Sequence, residues 1–200
     1  MSDTKQNPST DDTECLSIKE LWKLLDNWLK TNNPKAYESL NPPITPEELK
    51  EFETAVQTKL PEDYKESLLI HNGTTDEYIP MFGGYSYCDH EGAIGIWEWS
   101  YEEEDTHEIP EIRQFWWSKK WIPFAYNDQT LTCCLDMDPT PMGTKGQAIA
   151  ITIGGDLVLL GKSFKEFFAK YVKDVYDGKY DVYSDGGMLM SVDKLYRGYT

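Results

Sequence analysis

The chain has 200 residues, 40% of them hydrophobic and 14% aromatic, and a formal net charge of −16. That length suits one domain of ordinary size, with or without an extension, and the apolar content is enough to build a core. The acidity sets the chain against nucleic acid and anionic membranes and toward a basic partner, although acidic charge also serves plain solubility.

Residues 1–15 read as a disordered acidic tail. Their opening, MSDTKQNPSTDDTE, has neither the basic start nor the apolar stretch of a signal peptide, so a cytoplasmic location is expected. No apolar run approaches the roughly 20 residues that span a bilayer. The first helix follows: Ser17 and Glu20 form a Ser-x-x-Glu capping box, and Ile18, Leu21, Trp22, Leu25, Trp28 and Leu29 share one face. NNPKAYESLNPP interrupts it with prolines. Thr45, Pro46 and Glu48 open the next helix, with Leu49, Phe52 and Val56 on its buried side. LPEDYKESLLIHNG predicts a third, begun by Pro61 and stopped by Gly73 in the left-handed C-cap position.

The segment 85–118 is less regular. DHEGAIGIWEWSYEEE suits a helix capped by Asp89, with Ala93, Ile96, Trp97 and Tyr101 facing inward, though two glycines weaken it. In LTCCLDMD, Leu131, Cys133, Leu135 and Met137 alternate with Thr132, Cys134, Asp136 and Asp138 as the two faces of a strand. QAIAITI and DLVLL flank Gly154-Gly155 as a hairpin. Ser163 and Glu166 predict a capping box for a last helix striped by Phe164, Phe167, Phe168, Tyr171, Val172 and Val175. A small hairpin around Asp185-Gly186-Gly187 is expected in the remaining residues. Helices at both ends with hairpin-linked strands between them give an α+β fold with a mainly antiparallel sheet.

Several residue groups look chemical. The four cysteines, Cys15, Cys88, Cys133 and Cys134, are too few and badly placed for a disulfide framework. Cys133, Cys134, Asp136 and Asp138 suggest a metal, but adjacent strand residues face opposite ways and zinc thiolates are usually spaced by two to four residues. Asp136 and Asp138 would lie on one face about 7 Å apart, without the further carboxylates of a calcium loop. No metal and no cofactor are expected. Cys88 with His90 or His107 would need approach in space to form a nucleophile pair. GGDLVLLGKS imitates a phosphate loop, yet Asp156 stands where glycine is required, and Ser163 as a helix cap explains the same letters. Five tryptophans, Trp97, Trp99, Trp116, Trp117 and Trp121, are interleaved with the acidic run YEEEDTHEIPE. Trp121 reads as core; the others fit either core tryptophans under a solvated loop or a protein-binding surface, where tryptophan anchors and charge selects.

In order, these motifs resemble the SMI1/KNR4 (SUKH) superfamily. ITPEELKEFETAVQTKLPEDYKESLLIHNG is similar to its helix–LPxDY–helix–NG signature, WIPFAYNDQTLTCCLDMDPTPMGTKGQAIA to its W-x-P…L-D-x-x-P…G-Q stretch, and GKSFKEFFAKYV to its closing helix. The resemblance covers residues 16–176, leaving 1–15 as a tail and 177–200 as an extension, and PMGTKGQ lies nearest the branch of the fungal cell-wall regulator. It implies a single α+β domain with a curved sheet flanked by helices and no catalytic constellation. Leu60, Pro61, Tyr64, Asn72, Gly73, Trp121, Pro123, Asp136, Pro139 and Gly143 match signature positions and are implied to be architectural. Two departures stand out: YNDQTLT lacks the family's glycines, and the acidic segment 98–114 matches no signature.

Bacterial members are implied to be immunity proteins and fungal members signalling scaffolds. The first expectation is therefore a non-enzymatic binder that neutralises a basic toxin domain by covering its active site. Trp97, Trp99, Glu102, Glu103, Glu104, Asp105, Glu108, Trp116 and Trp117 are its candidate contacts, with no nucleic acid and no membrane as partner. The alternative is a regulatory scaffold in cell-wall synthesis or signalling. An enzyme using Asp136 and Asp138, or Cys88 and His90, comes last.

Overall fold

The structure is a computed structural model that describes residues 10–75, 79–104, 108–127, 131–151 and 156–190. The expected α+β fold is what it shows. Among the described residues the order is α1 (Ile18–Asn32), α2 (Pro34–Glu38), α3 (Pro46–Ala55), α4 (Glu62–Leu68), β1 (Ser86–Tyr87), α5 (His90–Trp99), β2 (Glu103–Glu104), β3 (Phe115–Trp117), β4 (Trp121–Asn127), β5 (Leu131–Asp136), β6 (Gln147–Ile151), β7 (Leu157–Gly161), α6 (Phe164–Tyr176), β8 (Tyr180–Val182) and β9 (Met188–Met190). A 3₁₀ turn, Thr10–Cys15, precedes α1 and buries Thr13. No described helix is long and apolar enough to cross a membrane.

The helix starts follow from side chains that take up the unpaired N–H groups of a first turn. Ser17 with Glu20 and Thr45 with Glu48 form full capping boxes. At α6, Ser163 Oγ accepts the Glu166 N–H at 3.1 Å, the forward bond of the expected box. Asn33 closes α1 and caps the five-residue α2, with Pro34 in its first turn, where the prolines predicted only an interruption. The third helix differs from expectation. It ends at Leu68, and Gly73, although left-handed at φ +72°, lies beyond its cap and serves another contact.

Five strands form an open antiparallel sheet in the order β1-β4-β5-β6-β7. The β6–β7 hairpin is present, its Gly154-Gly155 turn lying outside the described residues, as do residues 128–130 before β5. Pro123 is tolerated inside β4 because the β4–β5 register shifts between Pro123 and Ala125, a bulge that relieves the missing ladder donor.

Both faces of the sheet are covered. On one, Ile122, Phe124, Cys133, Leu135 and Ala148 meet Trp22, Tyr64, Phe164 and Phe168 from the helices in the main core. On the other, Trp121, Cys134, Ile149, Ile151 and Leu157 meet Ile112 and Trp117 in a smaller core. The alternation read in LTCCLDMD is thus between two cores rather than between core and solvent. The expected C-terminal hairpin is β8–β9, and it is tied into the fold. Met188 is buried, its N–H donates to Pro80 O at 2.7 Å, and Asn33 Nδ2 donates to Gly186 O at 2.7 Å.

Candidate functional site

Most of the reactive-looking groups are built into the interior, Cys15 and Asp138 being exposed. Cys88, Cys133 and Cys134 are buried, and burial pushes all three thiols up, away from the thiolate that nucleophiles and metal ligands require. His90 is buried, and its Nδ1 accepts from the Asn72 amide at 2.9 Å. His107 lies outside the described residues.

Asp136 and Asp138 do not share a face. The strand ends at Asp136, so its alternation does not carry on to Asp138, which is exposed and pairs with Arg113 at 3.0 Å. Asp136 is fully buried: Oδ1 accepts the Asp138 N–H at 3.0 Å, Oδ2 accepts Gln147 Nε2 at 3.0 Å, and the Trp121 side chain donates to the carboxylate. Desolvation nonetheless outweighs these donors and raises its pKa from 3.8 to about 6. Gln147 continues the chain of bonds. Its Nε2 also donates to Glu111 O at 3.1 Å, and its Oε1 accepts the Thr144 N–H at 3.0 Å. A Cβ on Gly143 would stand 2.4 Å from Glu111 O, so only glycine lets this turn close on residue 111. The L-D-x-x-P…G-Q letters therefore build a shelf that grips the segment leading into β3.

Asn72 and Gly73 do the same for α5. Asn72 Oδ1 accepts the His90 N–H at 3.1 Å, while Asp89 Oδ1 caps the helix through the Gly92 N–H at 2.7 Å. A Cβ on Gly73 would lie 2.2 Å from Asp89 N, so glycine is needed for this close approach as well as for its φ. Asp63, not singled out in the sequence, accepts the Lys165 N–H at 2.8 Å and ties α4 to the start of α6. Its signal was its place in LPEDY, beside Pro61 and Tyr64.

The two signature stretches thus anchor the pieces that carry the candidate contacts. The structure divides those contacts. Trp97, 9% exposed, and Trp117, 8% exposed, are core residues and are not available as surface anchors. Trp99 is 91% exposed, because it lies two residues, about 200°, round the helix from Trp97. Trp116 is 38% exposed between buried Trp117 and half-buried Phe115. Glu102 and Glu108 are exposed, the backbone of Glu103 and Glu104 forms β2 against β3, and Asp105 lies outside the described residues. Tyr101, expected inside, is 68% exposed, since α5 stops at Trp99 and Ser100 turns the chain into extended geometry. Lys119 was missed altogether. Its ammonium donates to Trp97 O and sits 4.3 Å from the Trp97 ring centre, while Trp97 Nε1 donates back to Lys119 O at 3.0 Å.

Comparison with known proteins completes the picture. The family model described as SMI1 / KNR4 family (SUKH-1) matches residues 43–170. The chain belongs to the SMI1/KNR4 family. A glucan synthesis regulatory protein of Neurospora crassa is 22% identical over 217 residues, covering 86% of this chain and 41% of that protein. The cell wall biosynthesis/cell cycle regulator smi1 of Schizosaccharomyces pombe is 24% identical over 195 residues, covering 86% and 39%. F-box only protein 3 of Homo sapiens is 22% identical over 191 residues, covering 84% and 36%. The chain spans about two-fifths of the length of these relatives.

Proposed function

We propose that the chain is a regulatory protein-binding module, working by holding partners and not by chemistry of its own. This is the scaffold reading of the sequence. One observation carries it: the signature residues Asn72, Gly73, Asp136 and Gly143 are spent on fixing the α5 and 108–117 segments in place, while Cys88, Cys133 and Cys134 are buried and His90 and Asp136 are buried and hydrogen-bonded. The similar proteins named as regulators of glucan synthesis and of cell-wall biosynthesis support regulation over toxin neutralisation. On this reading the partners belong to wall synthesis or its signalling.

Capture of the tagged chain from its own organism, with bound proteins identified by mass spectrometry, tests the proposal. Recovery of wall-synthesis or signalling proteins is the expected result. A single stoichiometric toxin domain would overturn it in favour of the immunity reading.

A further inference from the structure

The geometry points to the outer side of the corner between α5 and β3 as a docking ridge for an extended, lysine- and arginine-rich segment of a partner protein. The inference rests on the protein-binding reading above and adds where the partner lies and what its chemistry is. The end of α5 already holds one cation. Lys119 places its ammonium on the Trp97 and Glu98 carbonyls, against the face of the Trp97 ring. Unpaired carbonyls and the macrodipole make a helix C-terminus favourable to positive charge, and an indole face adds cation–π attraction. Here the chain's own lysine fills the inward half of that site.

The outward half carries the same chemistry with no part of the core over it. Trp99 is 91% exposed and Tyr101 68% exposed, with exposed Glu98 and Glu102 next to them in the chain, and Trp116, on β3 three residues before the Lys119 that α5 binds, is 38% exposed. Each large ring of this kind can cover on the order of 150–250 Å² of partner surface. Gly95 lies one turn before Trp99 on the same helix face, and a Cβ there would meet nothing within 4 Å. That leaves a flat flank on which a partner backbone can approach the indole. Charge selects the occupant. At a net −16, nucleic acid, an anionic membrane and a second copy of this chain are all repelled, whereas a basic segment is attracted from a distance.

The test uses the full chain with ¹⁵N-labelled tryptophan, a short lysine- and arginine-rich peptide, and an acidic peptide of equal length. The indole N–H signals of Trp99 and Trp116 should shift saturably with the basic peptide alone, more weakly at high salt, while those of buried Trp22 and Trp121 stay in place. Trp99→Ala and Trp116→Ala should each weaken binding about tenfold or more, as for interface anchors, with thermal unfolding unaltered in Trp99→Ala, whose ring is 91% exposed. Undiminished binding by the double variant, or equal shifts with the acidic peptide, would overturn the ridge. So would an absence of binding. Regulators still captured in cells by the double variant would also overturn the ridge while leaving the regulatory reading intact.

Discussion

Asp136 is a carboxylate wholly removed from solvent, with N–H donors on both oxygens. Its folded pKa, about 6, lies above its ordinary 3.8, so the native state holds the proton more tightly than the unfolded chain does. The resulting stability is fully present below about pH 4 and is lost as pH rises through about 6, by at most about 3 kcal/mol. The difference in unfolding free energy between wild type and Asp136→Asn, measured across pH 4–7, should show this slope and cancel effects common to both. At neutral pH the variant should be less stable by about 1–3 kcal/mol, because the Asn amide puts a donor where three donors converge. Tyr64 offers the opposite case. It is buried among Phe52, Phe124 and Phe164, and its hydroxyl has no partner among the described residues. Tyr64→Phe should therefore leave stability unchanged or raise it by about 1 kcal/mol in denaturant unfolding. A clear loss of stability would contradict an unbonded hydroxyl.

Among the elements, those with local causes were legible in the sequence. Ser17, Thr45, Asp89 and Ser163 all cap the helices expected of them, since a cap is decided within four residues. Ser17→Ala and Thr45→Ala should each lower stability by about 1 kcal/mol in thermal or denaturant unfolding. What depended on distant contacts was not legible. The outward turn of Tyr101, the split between Asp136 and Asp138 and the burial of Trp117 are set by where an element stops and by what packs over it. Gly73 shows the same limit: its left-handed backbone was foreseen, but its reason is the close approach of Asp89, not the end of α4. Gly73→Ala should disturb the hold on α5 and destabilise the fold by more than about 2 kcal/mol, with Gly95→Ala, in open space on the same helix, stabilising it by up to about 1 kcal/mol.

At the scale of the whole molecule, an acidic α+β domain covers its sheet on both faces, and its signature turns hold the segments that lead to the exposed Trp99 and Trp116. The family resemblance was readable because its letters answer to backbone demands: a glycine for a close approach, an aspartate for buried N–H groups, a proline at a helix start. The partner was not readable, because the 98–114 segment matches no signature stretch of the family. The most direct test of the account is quantitative capture from the source organism with wild type and the Trp99→Ala/Trp116→Ala double variant side by side. The account predicts salt-sensitive recovery of wall-synthesis or signalling proteins by wild type and their loss from the folded double variant. Recovery of a toxin domain alone, or of the same proteins by both forms, would contradict it.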